Sequence, residues 1–249
     1  MLTSQSEPLA AAIKRMPDAP TANNLQKCDR SGFYYYQITK CGCTFVRALI
    51  NQIDGRPHDA EPQKVMWDND AALAFVVVRH PIDRFLSLYF DKMYGGSSQM
   101  AKSFIQRGII TPDAHTVAEH EENCLRALAW IKQTVDSGKI GQMNVHWRPQ
   151  KYRLHKISKL NVHMLTLDGL SWQMTHLLHD YCPDIATQIQ RCGHKNVSLK
   201  PIDPDLLKTE RIQENISGIY PDDERIYADV NRHWAEIKLG LGHHGQDIK

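Results

Sequence analysis

Residues 33–50 read FYYYQITKCGCTFVRALI and predict a strand, a short polar turn and the start of a helix. Phe33 to Ile38 are mostly aromatic or β-branched, which suits a strand inside a sheet. Lys40, Gly42 and Thr44 follow, and they bring a cation, a residue that lets the backbone approach a ligand closely, and a hydroxyl. Because a helix N-terminus offers unpaired N–H groups to an anion, this layout predicts a phosphate-binding loop.

The composition is that of an ordinary globular protein. The chain has 249 residues, of which 42% are hydrophobic and 23% charged, so neither a disordered nor a fibrous protein is indicated. A net charge of +2 is too small to argue for nucleic acid or a membrane surface as a partner. The longest apolar run, Ala71 to Val78, is far shorter than the ~20 residues that cross a bilayer, so no transmembrane segment is predicted.

The cysteines and a histidine pair do not form the pattern of a metal site. The six cysteines are scattered without C-x-x-C spacing, which favours free thiols in a reducing compartment. His176 and His179 have metal-like spacing, but the sequence offers no third ligand beside them. A position on a helix surface or in the core is the better interpretation, and we expect no metal.

A second strand and helix follow at residues 73–90. Leu73 to Val78 read LAFVVV, a continuous apolar run typical of a parallel strand that is covered on both faces. Pro81 suits the first position of a helix, and the apolar side chains after it recur at helical spacing. If the two strands are parallel, Lys40 and Arg79 lie at the same carboxyl edge of the sheet, where open α/β sheets bind ligands.

The remaining chain extends this α/β pattern. We expect a loosely ordered lead-in over residues 1–30 and a single domain over residues 31–249. Thr116 and Glu119 have the spacing of a capping box, which predicts that a helix begins after Thr116. Further predictions are helices at 44–53, 117–136 and 171–179, a third strand at 162–167, an irregular connection at 182–204, and two helices between 205 and 237 that part near Tyr220 and Pro221.

The first loop differs from the phosphate loop of common nucleotide hydrolases. In the pattern G-x-x-x-x-G-K-[ST] the lysine follows the second glycine. Here Lys40 precedes Gly42, and the loop contains one glycine. An ordinary ATPase or GTPase is therefore disfavoured.

Two segments together resemble a known family. TKCGCTFVRAL at residues 39–49 resembles the 5′-phosphosulfate loop of sulfotransferases that use 3′-phosphoadenosine 5′-phosphosulfate (PAPS), and FVVVRHPIDRFLSLY at residues 75–89 resembles their 3′-phosphate motif. The resemblance is strongest to the carbohydrate sulfotransferases of the HNK-1 and chondroitin type (family 2). HWRP at residues 146–149 is similar to the H-W-x-P element of that family. One departure is Thr39, which stands where the family usually has proline.

The resemblance implies a fold and a set of site residues. The fold would be an α/β, P-loop-like three-layer sandwich in which helices flank a central, mainly parallel sheet. Arg79 and Ser87 would bind the 3′-phosphate, and Lys40 would stabilise the charge that builds on the oxygen between phosphate and sulfate. The 5′-phosphate would be held by the loop residues Lys40, Cys41, Gly42, Cys43, Thr44, Phe45 and Arg47.

The general base that removes the acceptor's proton stays open between two segments. His146, in the element HWRP, is the first candidate, although a structural histidine would fit that position as well. The rival segment lies before the strand that carries Arg79, where related glycan sulfotransferases place their base, and it contains His58, Asp59 and Glu61. A late loop with Lys195, Ser198 and Lys200 would either close over the nucleotide or remain a solvated basic loop.

The sequence thus predicts an enzyme that transfers a sulfuryl group from PAPS to a hydroxyl of a carbohydrate or glycan-like acceptor and releases adenosine 3′,5′-bisphosphate. The alternatives are a P-loop kinase-like phosphotransferase and a nucleotide-binding protein without catalysis. The eukaryotic glycan-modifying members lie in the Golgi behind a membrane anchor. Because this sequence shows no such anchor, we expect a cytoplasmic, bacterial enzyme.

Overall fold

The computed structural model describes residues 24–61, 65, 72–94, 98–158, 162–193 and 200–240. Within these ranges strands and helices alternate along the chain. The strands are β1 (Leu25–Lys27), β2 (Tyr34–Tyr36), β3 (Ala74–Val78) and β4 (Val162–Thr166). The α-helices are α1 (Cys43–Ile53), α2 (Pro81–Leu88), α3 (Gln99–Gln106), α4 (Val117–Asp136), α5 (Gln150–His155), α6 (Leu170–Leu178), α7 (Ile185–Cys192), α8 (Glu210–Ile219) and α9 (Pro221–Lys238).

The strands form one open sheet in the order β1-β2-β3-β4. β1 is antiparallel to β2, whereas β2, β3 and β4 are parallel, with Tyr36 opposite Val76 and Val78 opposite Thr166. Every residue of β3 is buried, so helices and loops cover the centre of the sheet on both faces. The predicted α/β class, with a mainly parallel sheet flanked by helices, is confirmed.

The chain divides into two compact units, and the first contains the sheet. It comprises the described residues up to Arg79, those from Gln150 to 193, and those from Arg225 onwards. Aromatic side chains fill its core: the ring of Phe75 lies 5.3 Å from that of Tyr35 and 5.8 Å from that of Phe33. These large apolar side chains explain why the segment forms a central strand.

The second unit comprises the described residues from His80 to Pro149 and from 200 to Glu224, and it is helical. Its α2 continues into a π-helical turn at Tyr89–Met93. Helix α4 begins with the predicted capping box, in which the side chains of Thr116 and Glu119 each bond the other residue's backbone. His120 of α4 is fully buried, and its Nδ1 lies 2.8 Å from the Tyr89 hydroxyl.

The structure departs from the sequence prediction at several described elements, and helices α3 (Gln99–Gln106) and α5 (Gln150–His155) were not predicted. The irregular connection expected at 182–204 is wrong over α7, where Ile185, Ile189 and Cys192 are buried along one face of a short helix. Its apolar stripe is only three residues long, which is too weak a period to recognise. Strand β1 was not predicted either, because three residues carry no measurable alternation.

Two further features concern the cysteines and the helices. All six cysteines are free thiols. Within the ranges that the structure describes, none of the helices combines the length and the apolar character needed to cross a bilayer.

Burial of His120 predicts that stability falls below neutral pH. Removal from water lowers the pKa of His120 below its ordinary value of 6.5. Above pH 6.5 the histidine is neutral in both folded and unfolded chains, but below it only the unfolded chain gains the proton. Urea unfolding should therefore show a loss of at most about 1 kcal/mol between pH 6.5 and 5.5 from this group.

His120→Gln should be less stable at pH 7.5, because the bond to Tyr89 is altered, yet it should lose less stability on acidification. The matched control is His179→Gln, since the His179 side chain is 70% exposed. Equal pH slopes for wild type and His120→Gln would contradict the assignment.

Candidate functional site

The loop between β2 and α1 contains two residues in the left-handed backbone region. Lys40 has φ 68° and Gly42 has φ 75°. Glycine adopts this conformation without steric cost, whereas a residue with a Cβ loses about 1–2 kcal/mol. The Lys40 backbone is therefore strained, and strain of this kind is concentrated at ligand-binding positions.

Helix α1 begins without a side-chain cap. Its N-cap residue is Gly42, which has no side chain to cap the helix, and the first turn contains no acidic residue. The N–H groups of a first helical turn and the positive end of the helix dipole favour an anion at this end. Thr44 is exposed in the first turn, and its hydroxyl has no hydrogen-bond partner within the part of the chain that the structure describes.

A side chain at position 42 would not fit. A Cβ built on Gly42 would lie 2.7 Å from Cδ1 of Leu167, which follows β4. Both the positive φ and this close approach require glycine here, so the sequence motif has a local steric cause.

The other predicted loop residues lie on and just before the first turns of α1. Cys41 is buried, and Cys43 is half-buried at the first helical position. The carbonyl oxygen of Phe45 accepts a weak bond from the Cys192 thiol at 3.9 Å. Arg47 is partly buried, and its Nε is buried without a partner among the described residues.

The Arg79 side chain connects the carboxyl ends of β2 and β3. Because these strands are parallel, Lys40 and Arg79 follow neighbouring strands at one carboxyl edge, as predicted. The Arg79 Nη1 donates to the carbonyl oxygen of Lys40 at 3.3 Å. The structure thus places two of the predicted cationic residues together.

Gln150 is a member of this arrangement that the sequence did not predict. It is 1% exposed, and its Oε1 accepts from the Arg79 N–H at 3.0 Å and from the Cys41 thiol at 3.2 Å. Its Nε2 donates to the Arg79 carbonyl at 2.8 Å. The only sequence signal was its place directly after HWRP, because contacts over such separations leave no local pattern.

Two predicted site residues, Ser87 and His146, belong to the second unit. Ser87 lies half-buried in the last turns of α2. His146 is partly exposed, and the Asn144 Oδ1 lies 2.7 Å from its Nδ1 and accepts from its backbone N–H at 3.0 Å. The Asn144 side chain therefore fixes the orientation of the imidazole.

His146 also lines a narrow pocket in the second unit that has room for about one water molecule. Arg84 in its wall is 4% exposed and donates to the Val145 carbonyl at 3.5 Å. The Tyr220 hydroxyl donates to the Trp147 carbonyl at 2.7 Å, and burial raises the pKa of Tyr220. The remaining wall residues are Pro81, Phe85 and Leu88.

The rival base candidates lie in a turn after α1. His58, Asp59 and Glu61 are exposed, and the His58 carbonyl accepts from the Asn51 amide at 3.2 Å. This bond fixes the backbone of the turn.

The structure adds little about the late-loop residues and the histidine pair. Lys195 and Ser198 lie outside the described residues, and Lys200 is exposed. His176 stacks on Trp172 with the rings 5.8 Å apart. Among the described residues, no three His, Cys, Asp or Glu side chains lie together as metal ligands would.

One class of parallel α/β proteins binds anions at the carboxyl edge of the sheet, where a helix N-terminus and cationic side chains meet. This chain has the same arrangement. Comparison with models of protein families narrows the class, because the model described as the sulfotransferase family matches residues 23–165. The chain belongs to the sulfotransferase family, whose members transfer sulfuryl groups. Searches of curated proteins and of solved structures gave no match.

Substitution of Gly42 should destabilise the protein more than substitution of a comparable glycine elsewhere. Gly42→Ala adds both the positive-φ cost and the contact with Leu167, whereas Gly55, with φ 71°, has nothing within 4 Å of an added Cβ. Urea unfolding should give a loss of about 1–2 kcal/mol for Gly55→Ala and about 1 kcal/mol more for Gly42→Ala. Equal losses would show that the contact with Leu167 is relieved without cost.

Proposed function

We propose that the protein transfers a sulfuryl group from PAPS to a hydroxyl of a carbohydrate or glycan-like acceptor and releases adenosine 3′,5′-bisphosphate. The observation that carries this proposal is the pair of cationic strand ends, in which the Arg79 guanidinium reaches the Lys40 carbonyl at 3.3 Å. Membership of the sulfotransferase family supports the reaction type. PAPS carries phosphates at two separate positions, and two cationic elements suit it.

The 5′ end of PAPS fits the residues at the start of α1. The backbone N–H groups at the start of α1 and the Thr44 hydroxyl are hydrogen-bond donors suited to a phosphate. Arg47 adds a guanidinium whose Nε is buried and has no partner among the described residues. Such a buried donor is costly unless a ligand satisfies it, which supports a role for Arg47 in binding the anion.

The 3′-phosphate is assigned to Arg79 and Ser87. A planar guanidinium forms paired bonds with phosphate oxygens, and a hydroxyl adds a single donor. The Arg79 backbone is fixed by Gln150 on both its N–H and its C=O, so its side chain starts from a well-defined position.

The proposed reaction is a direct displacement at sulfur. The acceptor oxygen forms a bond to sulfur while the bond from sulfur to the 5′-phosphate oxygen breaks. Lys40 stabilises the negative charge that develops on this departing oxygen, an interaction that is stronger in the transition state than in the bound substrate. The acceptor proton passes to a general base.

His146 is proposed as that base, with His58 as its rival. The Asn144 Oδ1 contacts His146 Nδ1, and this contact orients the ring as a base requires. The pocket beside His146 also contains the buried cation of Arg84, a fixed charge close to the proposed base. His58 lies in an exposed turn, and no described side chain orients its ring.

Lys40→Ala and Arg79→Ala should each lower transfer from radiolabelled PAPS at least about 100-fold, because each removes a charge that acts on the nucleotide. Matched controls are Lys139→Ala and Arg107→Ala, which remove exposed cations and should retain activity.

Full activity in both site variants would contradict the proposal. Magnesium-dependent phosphoryl transfer from ATP would instead support the kinase-like alternative. Tight binding of adenosine 3′,5′-bisphosphate without transfer to a broad panel of sugars would support a binding protein.

His146→Gln should lower kcat about 100- to 10,000-fold while the affinity for adenosine 3′,5′-bisphosphate stays within twofold, because a base acts on the acceptor alone. His58→Gln serves as the comparison and should retain kcat. The reverse pattern would assign the base to His58. Melting temperatures of both variants show whether a loss reflects unfolding.

A further inference from the structure

The parallel strands β2 and β3 separate at their carboxyl ends. Tyr36 is the last residue of β2, and beyond it the chain turns away, with the Cys41 N–H bonded to the Ile38 carbonyl at 3.2 Å. β3 continues to Val78 and then to Arg79. The backbone groups of β3 that faced β2 thus lose their strand partner at this point.

Arg79 is the residue whose backbone N–H and C=O lose their partner strand. Backbone groups of successive residues in a strand point to opposite sides. The Leu73 carbonyl accepts from Tyr34 of β2, and the Val78 carbonyl accepts from Leu167 after β4. The N–H and C=O of Arg79 therefore point to the side of β2.

The side-chain amide of Gln150 takes the place of the missing strand. It accepts from the Arg79 N–H and donates to the Arg79 C=O, as a neighbouring backbone amide would. The same Oε1 accepts from the thiol of Cys41 in the loop after β2, at 3.2 Å. One buried amide thus joins the strand end to the loop.

Gln150 is itself held rigidly. It begins α5, and on that short helix Leu154 is buried in the core of the first unit, as is Ile157 just beyond it. Because the side chain is 1% exposed, it cannot exchange its bonds for bonds to water. Because the core fixes Gln150, it also fixes Cys41 and Arg79, which Gln150 contacts.

We propose that Gln150 is a positioning residue for the nucleotide: its side-chain amide sets the separation between the loop at Lys40 to Thr44 and Arg79. These are the two elements to which the phosphates of PAPS are assigned above, so the inference rests on the proposed function. Gln150 acts through Arg79 and Cys41 and does not itself contact the reacting atoms.

The first test compares two buried glutamines. Gln150→Met keeps the side-chain volume and removes the bonds to Arg79 and Cys41. Its matched control is Gln173→Met, because Gln173 is 3% exposed and bonds the end of β4 through the Thr166 N–H at 2.7 Å and the Thr166 hydroxyl at 2.9 Å. Both variants should lower the melting temperature.

Affinity for adenosine 3′,5′-bisphosphate, measured by calorimetry at 15 °C, separates positioning from stability. Gln150→Met should bind at least tenfold more weakly than wild type, and its KM for PAPS should rise while the KM for acceptor stays unchanged. Gln173→Met should bind within twofold of wild type. Equal affinity of Gln150→Met and wild type would overturn the positioning role, whereas failure of the wild type to bind would overturn the proposed function and this inference with it.

Gln150→Glu supplies a second readout that also serves if Gln150→Met does not fold. When protonated, its carboxyl group retains one acceptor and one donor, as the amide does. When ionised, it places a carboxylate oxygen against the Arg79 carbonyl. The affinity of Gln150→Glu relative to wild type at the same pH should be at least tenfold lower at pH 8 and should recover as the pH falls towards 5, since burial raises the pKa of a carboxyl group. A pH-independent ratio would overturn the proposal.

Discussion

Backbone groups that leave a sheet must find other hydrogen-bond partners, and this requirement shapes the region around the candidate site. β2 and β3 have to part before their carboxyl ends can admit a ligand, and parting leaves the N–H and C=O of Arg79 without a strand. Gln150 satisfies both groups from an element that follows much later in the chain. One buried amide therefore allows β2 and β3 to part while the backbone of Arg79 remains hydrogen-bonded.

The same edge stores a small amount of strain. Lys40 adopts a left-handed backbone, and Gly42 beside it has no room for a Cβ because Leu167 lies so close. The strain persists because the surrounding contacts hold the loop in place: the Lys40 carbonyl accepts from Arg79, and the Cys41 thiol donates to Gln150. A loop held in this way loses little conformational entropy when it binds an anion, which favours tight binding.

The two compact units have different architectures. In the first, aromatic strand residues such as Tyr35 and Phe75 form a core that fixes the sheet edge. In the second, helix α4 contains the buried His120, and Asn144 contacts His146 in a non-helical segment after α4. Lys40 and Arg79 belong to the first unit, whereas Ser87 and His146 belong to the second.

The sequence by itself determined the features that arise from local patterns. The apolar run before Arg79 predicted β3, the spacing of Thr116 and Glu119 predicted the start of α4, and the polar turn from Lys40 to Thr44 predicted the start of α1, because each pattern lies within a few turns or strand residues. Only the tertiary structure decided that Gln150 joins Arg79 to Cys41 and that Leu167 excludes a side chain at Gly42. These contacts link residues far apart in the chain, and no local periodicity records which distant residue will fill a gap in the hydrogen bonding of a sheet.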